Sequence, residues 1–319
     1  MSRYEVTGIG EIMLRYSVPA GTRLETAARL DVFAGGAEAN TISALAYLGH
    51  RTGYATAVPD SPIGRLVVQP LRAAGVDLAP VYWSSEDRLG IYYLEFSEAP
   101  RPIQVIYDRK DSAAANMTAA QINWDLLLDT QILHITGITP AISPGALALT
   151  REIFARAKEH DCRISFDINY RSKLWSPAEA NTALRPLLSS VDHFFCGIGD
   201  ARGVLGCTGT PPEILEQLLA LSGASTAVLT LGEDGLIGSE GGDVIEVAAR
   251  PVHTIDRLGA GDAMAAGVLH GLLAGDFKQG LHYGVMMAAL ALTQHGDIVI
   301  TSATELEMLM AAAGSSISR

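Results

Sequence analysis

The stretch from Asp256 to Gly267, DRLGAGDAMAAG, brings together what chemistry on an anion requires. Gly259 and Gly261 bracket Ala260, and glycines let backbone N–H groups turn toward a ligand. An apolar run from Ala263 to Leu273 follows, so the string sits at a helix start, where unpaired amides and the positive end of the dipole favour negative charge. Asp262 stands at that same start. A carboxylate there repels a bound phosphate unless it takes a proton beside it, so cradle plus acid points to phosphoryl transfer. The plain alternative is a tight turn with Asp262 as N-cap or first-turn acid.

Other strings are of the same kind. Gly35-Gly36 permits close approach of a ligand to the backbone, and Asn40, on the first turn of the following helix, can donate and accept at once. Asp167-Ile168-Asn169-Tyr170-Arg171 ends an apolar run with five residues, four of them polar. Thr230, Gly232 and Gly235 end another, with glycines that let a nucleotide come near the main chain. Tyr92, Tyr93, Tyr107 and Arg109 interleave aromatic rings and charge. Glu11, after Gly8-Ile9-Gly10, is a candidate ligand contact or an exposed loop acid; Met13 stands where a dinucleotide fingerprint needs its third glycine.

These strings need elements to hold them. Tyr4–Ile9 and Leu30–Phe33 read as strands, and a helix carries Asn40 through to Leu48. Strand, helix and strand follow between Arg51 and Val81, with Ser61-Pro62 as cap and first turn. Arg88–Phe96 and Ile103–Tyr107 alternate like exposed strands around a turn containing Pro100 and Pro102. From Ile132 the order is strand (to Gly137), helix (Ser143–His160), strand (Arg163–Ile168), helix (Ser176–Val191), strand (His193–Cys196), helix (Pro211–Leu221) and strand (Thr226–Leu231). Such β-α repeats imply a parallel sheet covered on both faces, with sites off the C-terminal strand ends. Gly238–Asp243 reads as a hairpin turn, Lys278–His295 and the stretch from Ala303 as helices, and Gly314–Arg319 as a loose tail.

Composition narrows the partners. The chain has 319 residues and a net charge of −12, with pI near 5.1, and no Lys/Arg cluster of the kind a nucleic-acid surface needs. Mean hydropathy is +0.22, yet the apolar runs are too short to span a bilayer, and no signal peptide is read at the start. Cys162, Cys196 and Cys207 form no pattern and fit reduced core thiols in a cytoplasmic protein. The eight histidines show no metal-ligand spacing.

Asp256-Arg257-Leu258-Gly259-Ala260-Gly261-Asp262 resembles the C-terminal signature of the ribokinase-like (PfkB-type) sugar kinases, and Gly35-Gly36 with Asn40 resembles their N-terminal one, in the correct order. Stretches at 8–15, 88–93, 105–109 and 167–175 look like the 2-keto-3-deoxygluconate kinase branch. The resemblance implies one ribokinase-like domain over 1–319, a three-layer α/β/α fold with a mostly parallel central sheet. A small β-sheet lid, from about 12–34 and 88–110, would pair with a second subunit. It implies that Asp262 is the general base on the C6 hydroxyl of the sugar acid and that Gly259, Ala260 and Gly261 form the anion hole. Gly35, Gly36 and Asn40 would bind the sugar; Tyr92, Tyr107, Asp167 and Asn169 would add contacts, and Arg109 and Arg171 would hold the carboxylate. Thr230, Gly232, Gly235, Gly259 and Gly261 would face ATP, with Asp200 acting indirectly on Mg2+. An ordinary carboxylate pKa suffices for Asp262 in this scheme. The chain departs from the family at Gly197, where an Asn would stand, and at Leu258-Gly259, where Thr-Gly is usual. A kinase of a ketohexose, pentose or nucleoside, or a sugar-binding homologue weakened in catalysis, are the alternatives.

Overall fold

In the computed structural model, which describes residues 2–97 and 101–315, apolar side chains alternate between two cores along several central strands. Ile132 and Leu133 face opposite cores, as do Phe195 and its neighbours Phe194 and Cys196, and Val228 with Ala227 and Leu229. Successive strand residues point to opposite faces, so apolar residues on both parities demand helices on both sides.

The strands are β1 (Tyr4–Ile9), β2 (Met13–Ser17), β3 (Asp31–Gly35), β4 (Thr52–Ala55), β5 (Ala57–Pro59), β6 (Tyr82–Ser84), β7 (Ile91–Glu95) and β8 (Gln104–Asp108), then β9 (Thr130–Thr136), β10 (Arg163–Asp167), β11 (His193–Gly197), β12 (Thr226–Thr230), β13 (Gly235–Glu240) and β14 (Asp243–Ala248). The helices are α1 (Ala37–Tyr47), α2 (Pro62–Ala74), α3 (Ala113–Asn116), α4 (Trp124–Leu128), α5 (Ile138–Ala141) and α6 (Pro144–Glu159), then α7 (Pro177–Leu188), α8 (Ile198–Gly203), α9 (Pro211–Ser222), α10 (Ala260–Leu273), α11 (Phe277–Leu292) and α12 (Ala303–Ser315). The large sheet has the order β14-β13-β12-β11-β10-β9-β1-β4, parallel except at β13 and β14. A four-stranded sheet, β3-β2-β7-β8, stands apart from it, and β5 pairs with β6.

The Ser-Pro strings act as read. Ser61, Ser143 and Ser176 accept from the amides of Gly64, Ala146 and Glu179 at 3.3, 3.0 and 3.3 Å, and a proline opens each helix. All three cysteines are buried and free. The hairpin turn is tighter than the sequence suggests, since β13 already starts at Gly235 and left-handed Gly241 and Gly242 make the turn. The last helix continues through Ser315, so Gly314 and Ser315 are helical rather than tail; residues 316–319, like Pro100 in the expected turn, lie outside the described residues. Among the described residues no helix is long and apolar enough to cross a membrane.

Helices α10 and α11 meet through glycine. A Cβ at Gly267 would lie 2.6 Å from the Gly284 amide nitrogen, and one at Gly271 would collide with the Gly280 Cα. The helices therefore touch backbone to backbone, which fixes α10 and the acid at its start with no side chain between. Overpacking a filled contact costs roughly 1–3 kcal/mol. Gly271→Val is expected to lose at least that much unfolding free energy in urea, while Gly199→Ala, whose Cβ meets nothing within 4 Å, stays near wild type.

Candidate functional site

Gly259 precedes α10 in a left-handed conformation, φ 79°, and a Cβ there would collide with the Asp297 carbonyl oxygen. Only glycine meets both demands. The first bond of the helix runs from the Ala263 amide to the Gly259 carbonyl at 2.8 Å, so the amides of Ala260, Gly261 and Asp262 have no acceptor within the helix. Gly261 is exposed, with nothing within 4 Å of where a Cβ would point, which leaves these donors an open face.

Asp262 sits on the first turn beside them. Asn40, on α1, donates from Nδ2 to its Oδ2 at 2.7 Å and takes the Gly36 amide on Oδ1 at 3.3 Å. Thr41 donates to the Asp262 carbonyl at 3.1 Å. Although part of the residue remains open to solvent, burial pushes Asp262 up to about 7, against the opposing pull of the Asn40 hydrogen bond and the Arg171 charge; Asp297 and Glu38 add to the rise. The acid is therefore not the ordinary carboxylate the sequence suggests.

Asp167 ends β10 and Asp200 lies on α8, just after β11. Burial and the charges of Asp262 and Asp200 push Asp167 up to about 8, while the Asn169 amide, 3.1 Å from its Oδ1, and Arg171 pull it down. Burial also raises Asp200, which accepts from the Tyr170 amide at 3.1 Å. Asn169 adopts φ 39°, a conformation Asn tolerates better than most residues. Arg171 is exposed, with one bond to the Tyr170 carbonyl at 3.1 Å, and its charge lowers all three acids.

The small sheet closes the other side, and here several expected contacts are already occupied. The Tyr92 hydroxyl donates to Asp297 and is buried, so it is not free for a sugar oxygen. Arg109 is buried in an ion pair with Glu11: Nε donates to Glu11 Oε2 at 2.7 Å, while Ser112 covers the other oxygen at 2.5 Å. The Gly35-Gly36 pair serves the protein itself. A Cβ at Gly35 would strike Tyr92 and Asp297, and one at Gly36 the Glu11 carbonyl oxygen. Tyr107 remains half-buried at the mouth, its ring 5.9 Å from that of Tyr92, with Lys173 lying over it and donating to the Val105 carbonyl. Arg15 went unread in the sequence. It donates to Asp256 and Asp297 at 2.6 Å each and is wholly buried.

On the nucleotide side, Thr230 ends β12 opposite Gly197, and Gly232 is exposed at φ 66°. Gly235, at φ 110°, lies where a Cβ would strike the Val247 carbonyl oxygen. A Cβ on Gly197 would be in ordinary contact, 3.6 Å from the Thr230 hydroxyl and 3.9 Å from Asp200, so the site has room for the missing side chain. A cavity of about 520 Å3 lies nearby, lined by Val247–Val252 and, on α11, by His282, Met286 and Ala289. Among the described residues no three His, Cys, Asp or Glu side chains converge as a metal cage.

A covered parallel sheet with a small second sheet over its C-terminal edge, a glycine-opened helix and an acid at its start define a class: the chain belongs to the pfkB family of carbohydrate kinases, whose sequence model matches residues 3–304. Within it, the chain is 38% identical over 316 residues to the 2-dehydro-3-deoxygalactonokinase of Haloferax volcanii, covering 99% of each. It superposes on the 2-dehydro-3-deoxygluconokinase of Thermotoga maritima with a TM-score of 0.92 at 30% identity, covering 97% of this chain and 98% of that one. The fold is also that of an E. coli structure described as a ribokinase II and solved with ATP and Mg2+, at TM-score 0.88 and 22% identity over 97% of this chain and 99% of that one.

The acid cluster yields a titration test that needs no substrate. Asp262 and Asp167 hold protons in the folded state to about pH 7 and 8, so these groups contribute stability that is complete below their unfolded values and is lost as pH rises from about 4 to about 7 and 8. Asp262→Asn is expected to lower the midpoint of Asp167 in a carbon-detected carboxyl titration, because a neighbouring negative charge is gone. It is also expected to raise the melting temperature above that of wild type at pH 8.

Proposed function

We propose that the protein is an ATP-dependent sugar-acid kinase that phosphorylates the C6 hydroxyl of 2-keto-3-deoxygluconate. The observation that carries the reading is the open amide face of α10 with Asp262, held by Asn40, at its rim. In this reading the sugar acid lies between α1, the small sheet and the 167–171 loop, with Arg171 toward its carboxylate. Arg109, tied to Glu11, orients that wall, and Tyr107 and Asn169 flank the acceptor.

Asp262 takes the C6 proton as O6 attacks the terminal phosphorus, and the bond to the bridging oxygen breaks to release ADP. The amides of Gly259, Ala260 and Gly261 receive the charge that spreads over the transferred phosphoryl oxygens. ATP would follow Thr230, Gly232 and Gly235, with its base toward the 520 Å3 cavity, a volume in the usual range for a ligand site. Asp200 and Asp167, both raised by burial and Asp167 also by the charges of Asp262 and Asp200, would be the residues that act on Mg2+. Mg2+ supplies charge neutralisation to the nucleotide phosphates when bound. The reading places the enzyme in the cytoplasm, where ATP is supplied.

The Haloferax relative favours a second acceptor, the C4 epimer 2-keto-3-deoxygalactonate, which shares the keto acid and C6 ends. Self-association through the small sheet is supported by its outer row, Val32, Tyr16, Tyr93 and Ile106, where adjacent strands pair. Val32 is 47% and Ile106 50% exposed. Light scattering is expected to find a dimer that Ile106→Asp converts to monomer.

The deciding experiment is ADP release with MgATP and each of the two keto-deoxy acids, gluconate, fructose and ribose. Turnover confined to the keto-deoxy acids is expected; turnover on fructose or ribose alone would discard the acid pocket, and silence with all five would reject the kinase. Asp262→Asn is expected to cost about 10²- to 10⁴-fold in kcat. Arg171→Met is expected to raise the KM for the acid about tenfold or more while moving the KM for ATP little.

A further inference from the structure

Among the described residues Arg15 is the largest side chain that is fully buried. It comes from β2 of the small sheet, yet both its partners lie in loops flanking the α10–α11 pair, 241 and 282 residues away in sequence. Nη2 donates to Asp256 Oδ2 and Nη1 to Asp297 Oδ1. The Phe33 and Phe96 rings lie 5.0 and 5.2 Å from its Cζ.

The two carboxylates continue toward the amide cradle. Asp256 Oδ1 accepts from the Leu258 amide at 3.1 Å, and its Oδ2 also accepts from the Gly296 amide at 3.2 Å. Asp297 takes the Tyr92 hydroxyl on its other oxygen, and its main-chain carbonyl abuts Gly259 where a Cβ would be. Leu258 and Gly259 thus each rest on a residue that Arg15 holds. Both carboxylate side chains are nearly or fully buried, so these charge contacts are shielded from solvent.

We propose that Arg15 is a positioning residue that sets the aim of the Leu258–Asp262 amides from the small sheet, so that the cradle keeps its shape only while that sheet is seated. The inference deepens the kinase reading and names a device within its site. A single guanidinium fork reaches two carboxylates at once; a lysine ammonium, a point donor, aligns one of them well at most. A cradle displaced by about 1 Å costs on the order of 10²-fold in rate.

The test compares wild type with Arg15→Lys and Arg15→Ala by hydrogen exchange and by kinetics. In Arg15→Lys, amides of residues 255–262 are expected to exchange about tenfold faster than in wild type, while those of β1, β9 and β10 stay unchanged. Its kcat is expected to fall about 10²-fold, with the KM for ATP and for the acid within about threefold. Millimolar guanidinium ion is expected to restore part of the kcat of Arg15→Ala. Unchanged exchange at 255–262, or exchange accelerated equally throughout the sheet, overturns the inference. Should wild type turn over no acceptor, the kinase reading falls, and the exchange pattern alone still decides whether Arg15 holds the cradle.

Discussion

A positive charge with no access to water has to be matched inside the protein, and Arg15 imposes that condition on everything around it. Removing an ion from water costs several kcal/mol even after relaxation, and only close, hydrogen-bonded partners offset it. Asp256 and Asp297 meet the demand from two loops that flank the α10–α11 pair. The aromatic rings of Phe33 and Phe96 fill the remaining sides. The glycines follow from this arrangement: Gly35 leaves room for Tyr92 and Asp297, and Gly259 lets the chain pass the Asp297 carbonyl. The small sheet and the helix that bears the acid are thereby tied by ion pairs as well as by the apolar core that Leu14 and Ala34 share with α10.

The negative groups obey a complementary rule. Three carboxylates share one end of the sheet with Arg171 nearby, and burial, with the charges of Asp262 and Asp200 acting on Asp167 and those of Asp297 and Glu38 acting on Asp262, keeps Asp262 and Asp167 partly protonated near neutrality. A site so short of positive charge gains on taking up a cation, which is what a metal-bound nucleotide brings. Phosphoryl transfer has a loose transition state in which placement and charge neutralisation outweigh basicity. The raised Asp262 thus serves less as a strong base than as a proton acceptor that holds its alignment through Asn40.

Much of this was legible because it is local. Ser-Pro caps, apolar runs on both strand parities, the glycine-acid string and the order of β-α units depend on residues near each other, and all of them appear in the structure close to where the sequence puts them. The short helices α3, α4, α5 and α8 have four to six residues each, too few for a helical period to show. What could not be read is long-range. Tyr92 and Arg109 looked like free donors because nothing in the chain near them announces Asp297 or Glu11 as partners. Arg15 stood only as the last residue of the 8–15 stretch that carries the resemblance, with no task of its own. The only clue was that Asp256 precedes the glycine string by three residues, a position whose carboxylate had no assigned task.

The glycine seam between α10 and α11 bears on how such a chain could diversify. Side-chain interfaces drift by exchanging one volume for another, but a contact made of backbone offers nothing to exchange, since any added carbon meets main chain. The helix that carries Asp262 is therefore closed to change along that seam. New acceptors would have to be accommodated by the rim instead, on the half-buried Tyr107, the exposed Arg171 and the loop holding Lys173, where substitutions meet solvent or flexible side chains. The architecture separates a frozen reacting end from an adaptable recognising end, and mutational libraries aimed at altered substrate choice belong on the latter.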